Sequence, residues 1–183
     1  MVQGEFFAKA VDVVVADWDR GVELLVSTKA MIASFGKNLT NRWEEFVGDL
    51  RNLRGRFPLA VLGVCYLADE SIIEGEPNAH ARLLDMLRKL RLETSPERAY
   101  DATMLIFAKP GGDTHAMLSM DRVPPDLGPG QFFEALLTRS FERLPVSERA
   151  AARRLYGRES LPTAEVDLTD GPSGPLPTDQ EPT

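Results

Sequence analysis

An aspartate, a lysine and a pair of glutamates are spaced in this chain so that a hairpin and the helix after it can bring them to one place. Asp12 lies in the β-branched run Val11–Ala16, and Lys29 ends a second apolar segment, Val22–Lys29. The turn sequence Asp17-Trp-Asp-Arg-Gly21 between them predicts an antiparallel hairpin. A loop of about four residues, Trp18 to Gly21, would pair Asp17 with Val22 and leave Asp12 opposite Ser27. Side chains alternate along a strand, so Glu23, Leu25, Ser27 and Lys29 share a face. An acid and an ammonium at one end of a hairpin can hold a divalent cation and organise a water beside it.

One carboxylate is a poor magnesium site, and distance decides which second acid is eligible. Glu23 lies about 20 Å along the strand from Lys29, and Asp17 and Asp19 sit at the far turn. A helix expected soon after Lys29 can lay Glu44 or Glu45 back over the strand end. Each of these residues also has a plain structural role. Asp12 suits the end of a strand, Lys29 suits a snorkelling strand-end lysine, and Arg42, Glu44, Glu45 and Asp49 suit a solvated helix face.

Asp12, the hairpin and Lys29, followed by a helix and a buried strand, resemble the PD-(D/E)xK nuclease superfamily, which includes many restriction endonucleases. The usual acid two positions before the lysine falls at Ser27, a departure known from a group of restriction enzymes that has Ser in this slot and a glutamate moved to the next helix. Their pattern, K-x12-R-x-x-E, is matched by Lys29, twelve residues, then Arg42-Trp43-Glu44-Glu45, which favours Glu45 over Glu44. The match covers about Val11 to Ala68. Val11 stands where a proline often precedes the first Asp, the Asp12-to-Lys29 spacing is short, and little chain precedes Val11 for the first helix and strand of the full fold.

The resemblance implies Mg²⁺-dependent hydrolysis of a DNA phosphodiester by a type II restriction-like endonuclease, acting on double-stranded DNA as a homodimer. Asp12, Glu45 and the Thr28 carbonyl would ligate the metal, and Lys29 would orient the attacking water. Arg42 would fix Glu45 or touch a phosphate, with Ser27 and Glu44 in support. The competing reading is a catalytically inactive nuclease-fold module that binds protein or DNA. Independently of the resemblance, Lys37, Asn38, Arg51, Arg54 and Arg56 form a basic patch suited to phosphate contact or to a solvated helix end. A second cluster, Arg149, Arg153, Arg154 and Arg158, reads as a basic surface helix.

The elements that must position these groups follow from periodicity. Glu5–Ala10 reads as the end of a short helix. Asn41 with Glu44 has capping-box spacing, which predicts a helix from there to about Gly55, with Trp43, Phe46, Val47, Leu50 and Leu53 as its apolar stripe. Leu59–Leu67 is almost wholly apolar and short, a strand buried on both faces. A helix over Ala79–Arg91, a strand over Ala102–Ala108, a helix over Gln131–Arg143 and a last one from Ser147 through Arg158 complete an α/β fold with a mixed sheet. Lys109-Pro-Gly-Gly-Asp113 is a turn rather than a phosphate loop, lacking the trailing Lys-Ser/Thr.

The chain of 183 residues carries a net charge of −7, which taken alone argues against nucleic acid. The charge is uneven: five acids and no Lys or Arg lie between Pro162 and Thr183, which leaves only −2 on the remainder. We expect one domain over residues 1–160 and an acidic, proline-rich, disordered tail over 161–183. A single cysteine forbids an internal disulfide and, with His80 and His115 as the other soft ligands, disfavours zinc. No signal-peptide pattern or membrane-length apolar run is evident, so the expected location is cytosolic.

Overall fold

The computed structural model describes residues 1–91, 99–110 and 116–156. The expected acidic tail and His115 lie outside these residues, as does most of the Lys109–Asp113 turn. The elements are β1 (Val2–Gln3), β2 (Ala8–Lys9), β3 (Val13–Asp17), β4 (Gly21–Met31), α1 (Phe35–Arg56), β5 (Val61–Asp69), α2 (Ile72–Gly75), α3 (Pro77–Lys89), β6 (Ala102–Pro110), β7 (Ala116–Ser119), a 3₁₀ turn at Pro125–Leu127, α4 (Pro129–Arg143) and α5 (Val146–Tyr156). β3 to β7 form one sheet in chain order. The three central strands β4, β5 and β6 are parallel, and β3 and β7 flank them antiparallel. The expected α/β class with a mixed sheet is therefore present.

β5 is the centre of the sheet, and its residues show why. Leu62, Val64, Tyr66 and Ala68 are buried against α1 and α3 on one face, while Val61 and Cys65 face Phe132 and Leu136 of α4 on the other. A strand covered on both faces must be apolar at successive positions, as its sequence is. Gly63 permits the close approach of α4, since a Cβ there would lie 3.1 Å from both Leu136 and Phe132. The strand starts at Val61 rather than Leu59, whose side chain is exposed.

Three expectations are corrected. Residues 5–10 do not end a helix: Val2 pairs with Lys9 and Gln3 with Ala8 in a small antiparallel ladder. Helix α1 starts at Phe35, not at an Asn41 cap, because Phe35 and Leu39 extend the buried stripe of Phe46, Leu50 and Leu53. Ser34, at φ 56°, makes no side-chain cap, and Glu76 instead accepts the Gly36 N–H at 2.9 Å; a carboxylate there also complements the helix dipole. In the hairpin, Asp17 pairs with Gly21 rather than Val22, and a register shift between Val15 and Ala16 restores the expected alignment, with Val13 opposite Val26. Asp12 lies just before β3, so the expected pairing with Ser27 is not part of the ladder; its carboxylate meets the Thr28 N–H instead. β7 was not anticipated.

The end of α1 is tied to the sheet by a buried ion pair. Arg54, 4% exposed, donates to the carbonyls of Ala60 and Ala99 and to Asp101 Oδ2 at 2.8 Å. The same Asp101 oxygen accepts the Leu62 N–H, and its other oxygen accepts from Arg143. One carboxylate thus joins α1, β5, β6 and α4. Arg54 belongs to the basic patch expected to contact phosphate or to form a solvated helix end, and its burial removes it from both roles. Arg54→Ala is predicted to lower unfolding free energy by about 3 kcal/mol, because it strands half of a buried pair. A urea midpoint close to that of the unmodified chain would contradict this.

Candidate active site

The long strand β4 sends Leu25, Ser27, Lys29 and Met31 toward α1, and Val26 and Thr28 away from it. On α1, Arg42, Glu45 and Asp49 follow i, i+3, i+7 spacing and so share one face. Glu45 Oε1 accepts from Lys29 Nζ, and Glu45 Oε2 from Arg42. The strand lysine and the helix glutamate singled out from sequence are therefore in direct contact. Glu44, the other candidate, is exposed on the solvent side.

Two residues not assigned to the site complete it. Asp49, 3% exposed, is one turn beyond Glu45, and Lys9 from β2 reaches it at 2.7 Å. Lys9 also lies 3.7 Å from Glu45, and Lys29 lies 3.7 Å from Asp49. Each lysine thus touches both carboxylates, making a closed ring of alternating charge, with Arg42 attached at Glu45. Burial, the largest single influence on Glu45, would raise its pKa, yet hydrogen bonds and charge from Lys29 and Arg42 together hold it below the usual 4.5. Burial would likewise depress Lys9, but Asp49 and Glu45 together hold it above 10.5.

Lys9 is delivered by the short β1–β2 turn, which is locked onto α1 by Asn52. This fully buried side chain accepts the N–H groups of Phe6 (2.8 Å) and Phe7 (3.2 Å) and donates to the Phe7 carbonyl (3.0 Å). Gly4 lies flat against it; a Cβ there would come within 2.4 Å of Asn52 Cγ.

Asp12 is exposed, and its Oδ2 accepts the Thr28 N–H at 2.6 Å. This bond fixes Asp12 beside the strand position before Lys29, but no ion pair joins it to Lys29 or hydrogen bond to Glu45 among the described residues. Ser27 is buried on the α1 face. Tyr66 pairs with Lys29 in the sheet register and carries a buried hydroxyl without a hydrogen-bond partner. Burial raises its pKa to about 12, so it stays protonated. Cys65 is likewise raised by burial, to about 11, and is no thiolate nucleophile at neutral pH. Two of the three acids excluded by distance are engaged toward the far turn: Asp17 accepts the Asp19 and Arg20 N–H groups, and Glu23 pairs with Arg20 at 2.7 Å.

The rest of the proposed basic patch is divided. Lys37 and Arg56 are exposed, Asn38 is partly buried in the first turn of α1, and Arg51 lies over the Phe6 ring at 5.9 Å. Trp43 and Val47, expected on the apolar stripe of α1, are exposed and line a groove between α1 and α3 with Arg51 and Lys89. His80 packs on the Phe107 ring, a structural position.

The donor chemistry suits a hard cation. Every candidate ligand is an oxygen, and among the described residues the Asp12 carboxylate is contacted on Oδ2 alone; Glu45 Oε2 accepts from Arg42 and has a second lone-pair direction. Among the described residues no group of three or more His, Cys, Asp or Glu is placed to hold a metal by itself. Mg²⁺ does not require one, since it ordinarily takes one or two carboxylates and completes its shell with waters and substrate phosphates. No protein-family model, curated protein or solved structure matches the chain.

The charge ring makes a signed prediction about pH. A lowered Glu45 pKa stabilises the fold above 4.5, and this is lost as pH falls through the lowered value; a raised Lys9 pKa stabilises below 10.5 and is lost as pH rises through the raised one. The melting temperature should hold between these limits and fall outside them. In Lys29→Met, which removes a cause of the Glu45 shift, the acid-side fall should move to higher pH; an unmoved limb would refute the pairing.

Proposed function

We propose that the chain is a Mg²⁺-dependent DNA endonuclease of the restriction type. The observation that carries this reading is the contact between Lys29 of β4 and Glu45 of α1, two groups brought together by a hairpin, a helix and a parallel strand in that order. Asp12 and Glu45, with the Thr28 carbonyl, would hold the ion, which when bound polarises the scissile phosphate and offsets charge in the transition state.

The chain's own groups do the rest. Lys29 Nζ has three N–H donors; one is spent on Glu45, which leaves others to orient a water for attack on phosphorus. The oxygen of that water joins phosphorus as the bond from phosphorus to the leaving sugar oxygen breaks; the water gives up one proton to bulk solvent and the leaving oxyanion takes one from it. Arg42 keeps Glu45 in place from the other side, through its second oxygen. Thr28 N–H holds Asp12 at the same strand end. On duplex DNA this chemistry calls for a homodimer, because cuts on two antiparallel strands need sites related by a two-fold axis.

One observation favours the second reading, a non-catalytic module with a nuclease-like scaffold: both oxygens of Glu45 are already engaged by cations, and the Asp12 carboxylate is held by the Thr28 N–H rather than by a residue of that cluster. Nicking of supercoiled plasmid separates the two. Under the nuclease reading, Asp12→Asn, Lys29→Met and Glu45→Gln each lower the Mg²⁺-dependent rate by roughly 100-fold or more while the variants stay folded. Unchanged nicking in Asp12→Asn and Lys29→Met, or no Mg²⁺-dependent nicking by the unmodified chain, would sink it.

A further inference from the structure

Asp49 poses a problem that Lys29 alone cannot solve. Its Oδ2 is buried without a hydrogen-bond partner, and Lys29 Nζ stands 3.7 Å from it. A buried carboxylate attracts the nearest ammonium strongly. Without Lys9 the ammonium left within reach among the described residues is the Lys29 amine, which must stay on Glu45 if it is to act at the strand end. Lys9 resolves the competition by bonding Asp49 Oδ1 at 2.7 Å. The elaborate hold on its hairpin, with Asn52 bonding the backbone of Phe6 and Phe7 and the Asn52 carbonyl accepting the Glu5 N–H at 2.9 Å, makes sense if the placement of Lys9 matters.

We infer that Lys9 is a positioning residue for the proposed reaction: it neutralises Asp49 and thereby leaves Lys29 on Glu45. This rests on the nuclease reading for its catalytic consequence, though not for the charge competition itself. Lys9 is not required to touch DNA. Its effect passes through Asp49, so removing the Asp49 charge should make Lys9 dispensable.

The test is a pair of single variants and their combination. Lys9→Met should lower kcat about 10-fold or more with KM for DNA within about 2-fold, because it disturbs orientation rather than binding. Lys9→Arg, which keeps the charge, should retain most of the rate. Lys9→Met combined with Asp49→Asn should recover most of what Lys9→Met loses. A rise in KM at unchanged kcat, or a double variant no faster than Lys9→Met, would overturn the inference. Lys9→Gln, which keeps a donor for Asp49 without the charge, stands in if Lys9→Met does not fold.

A second readout needs no cleavage. In ¹⁵N-lysine-labelled protein without DNA, the Lys29 Nζ resonance should shift in Lys9→Met and return in the double variant. If the unmodified chain cuts no DNA, the nuclease reading falls and this resonance still decides the placement: a signal that ignores position 9, or that fails to return, overturns it.

Discussion

A carboxylate buried beneath a helix cannot remain charged alone, and Asp49 sets the terms for everything around it. Burying an isolated ion costs several kcal/mol even after relaxation, so Asp49 must recruit cations, and α1 supplies none within reach. They come from two separate strands, Lys9 on β2 and Lys29 on β4. Glu45, one turn earlier, takes both lysines as well, so two acids and two bases lock three elements together. The N-terminal turn packs on the domain through Val2 at the core edge, through Asn52, which gives its backbone partners, and through Asp49, which gives Lys9 a charge to neutralise.

Helix α1 carries two buried polar assemblies with different consequences. Toward its C-terminus, Arg54 closes on Asp101, whose oxygens are shared by a backbone N–H and Arg143. That assembly is sealed and joins layers. The other lies mid-helix, with Glu45 only partly covered and Asp12 exposed at the neighbouring strand end. Its two carboxylates meet three cations, Lys9, Lys29 and Arg42, and the register partner of Lys29 is Tyr66, with its buried hydroxyl. The Arg54 assembly suits stability; the mid-helix one is the one the proposed function uses.

Much of this was legible locally. Strand alternation placed Ser27 and Lys29 on one face, and hairpin counting placed Asp12 at that strand end, where it meets the Thr28 N–H, even though the turn itself is a residue tighter and the register is recovered by a bulge. The Lys29 to Glu45 contact followed from spacing and from the resemblance to relocated-glutamate nucleases. What escaped was long-range. Asp49 looked like part of a solvated face because its cover, the β1–β2 turn, pairs only two residues with two and leaves almost no periodic signal. Arg54 looked like a surface cation because its partner lies 47 residues away. The start of α1 was misplaced because the Asn41–Glu44 spacing satisfied a capping rule, while burial of Phe35 and Leu39 decided the outcome.

The central claim is that the strand end beside Lys29 is a cation site framed by a helix glutamate and a hairpin aspartate. A crystal soaked in Mn²⁺, read by anomalous scattering, addresses it most directly. The account predicts a peak bonded to Asp12 and Glu45, with Lys29 beside it and Lys9 still on Asp49. Glu45 held only by Lys29 and Arg42 with no peak at Asp12, at Mn²⁺ concentrations that saturate ordinary carboxylate sites, would contradict it.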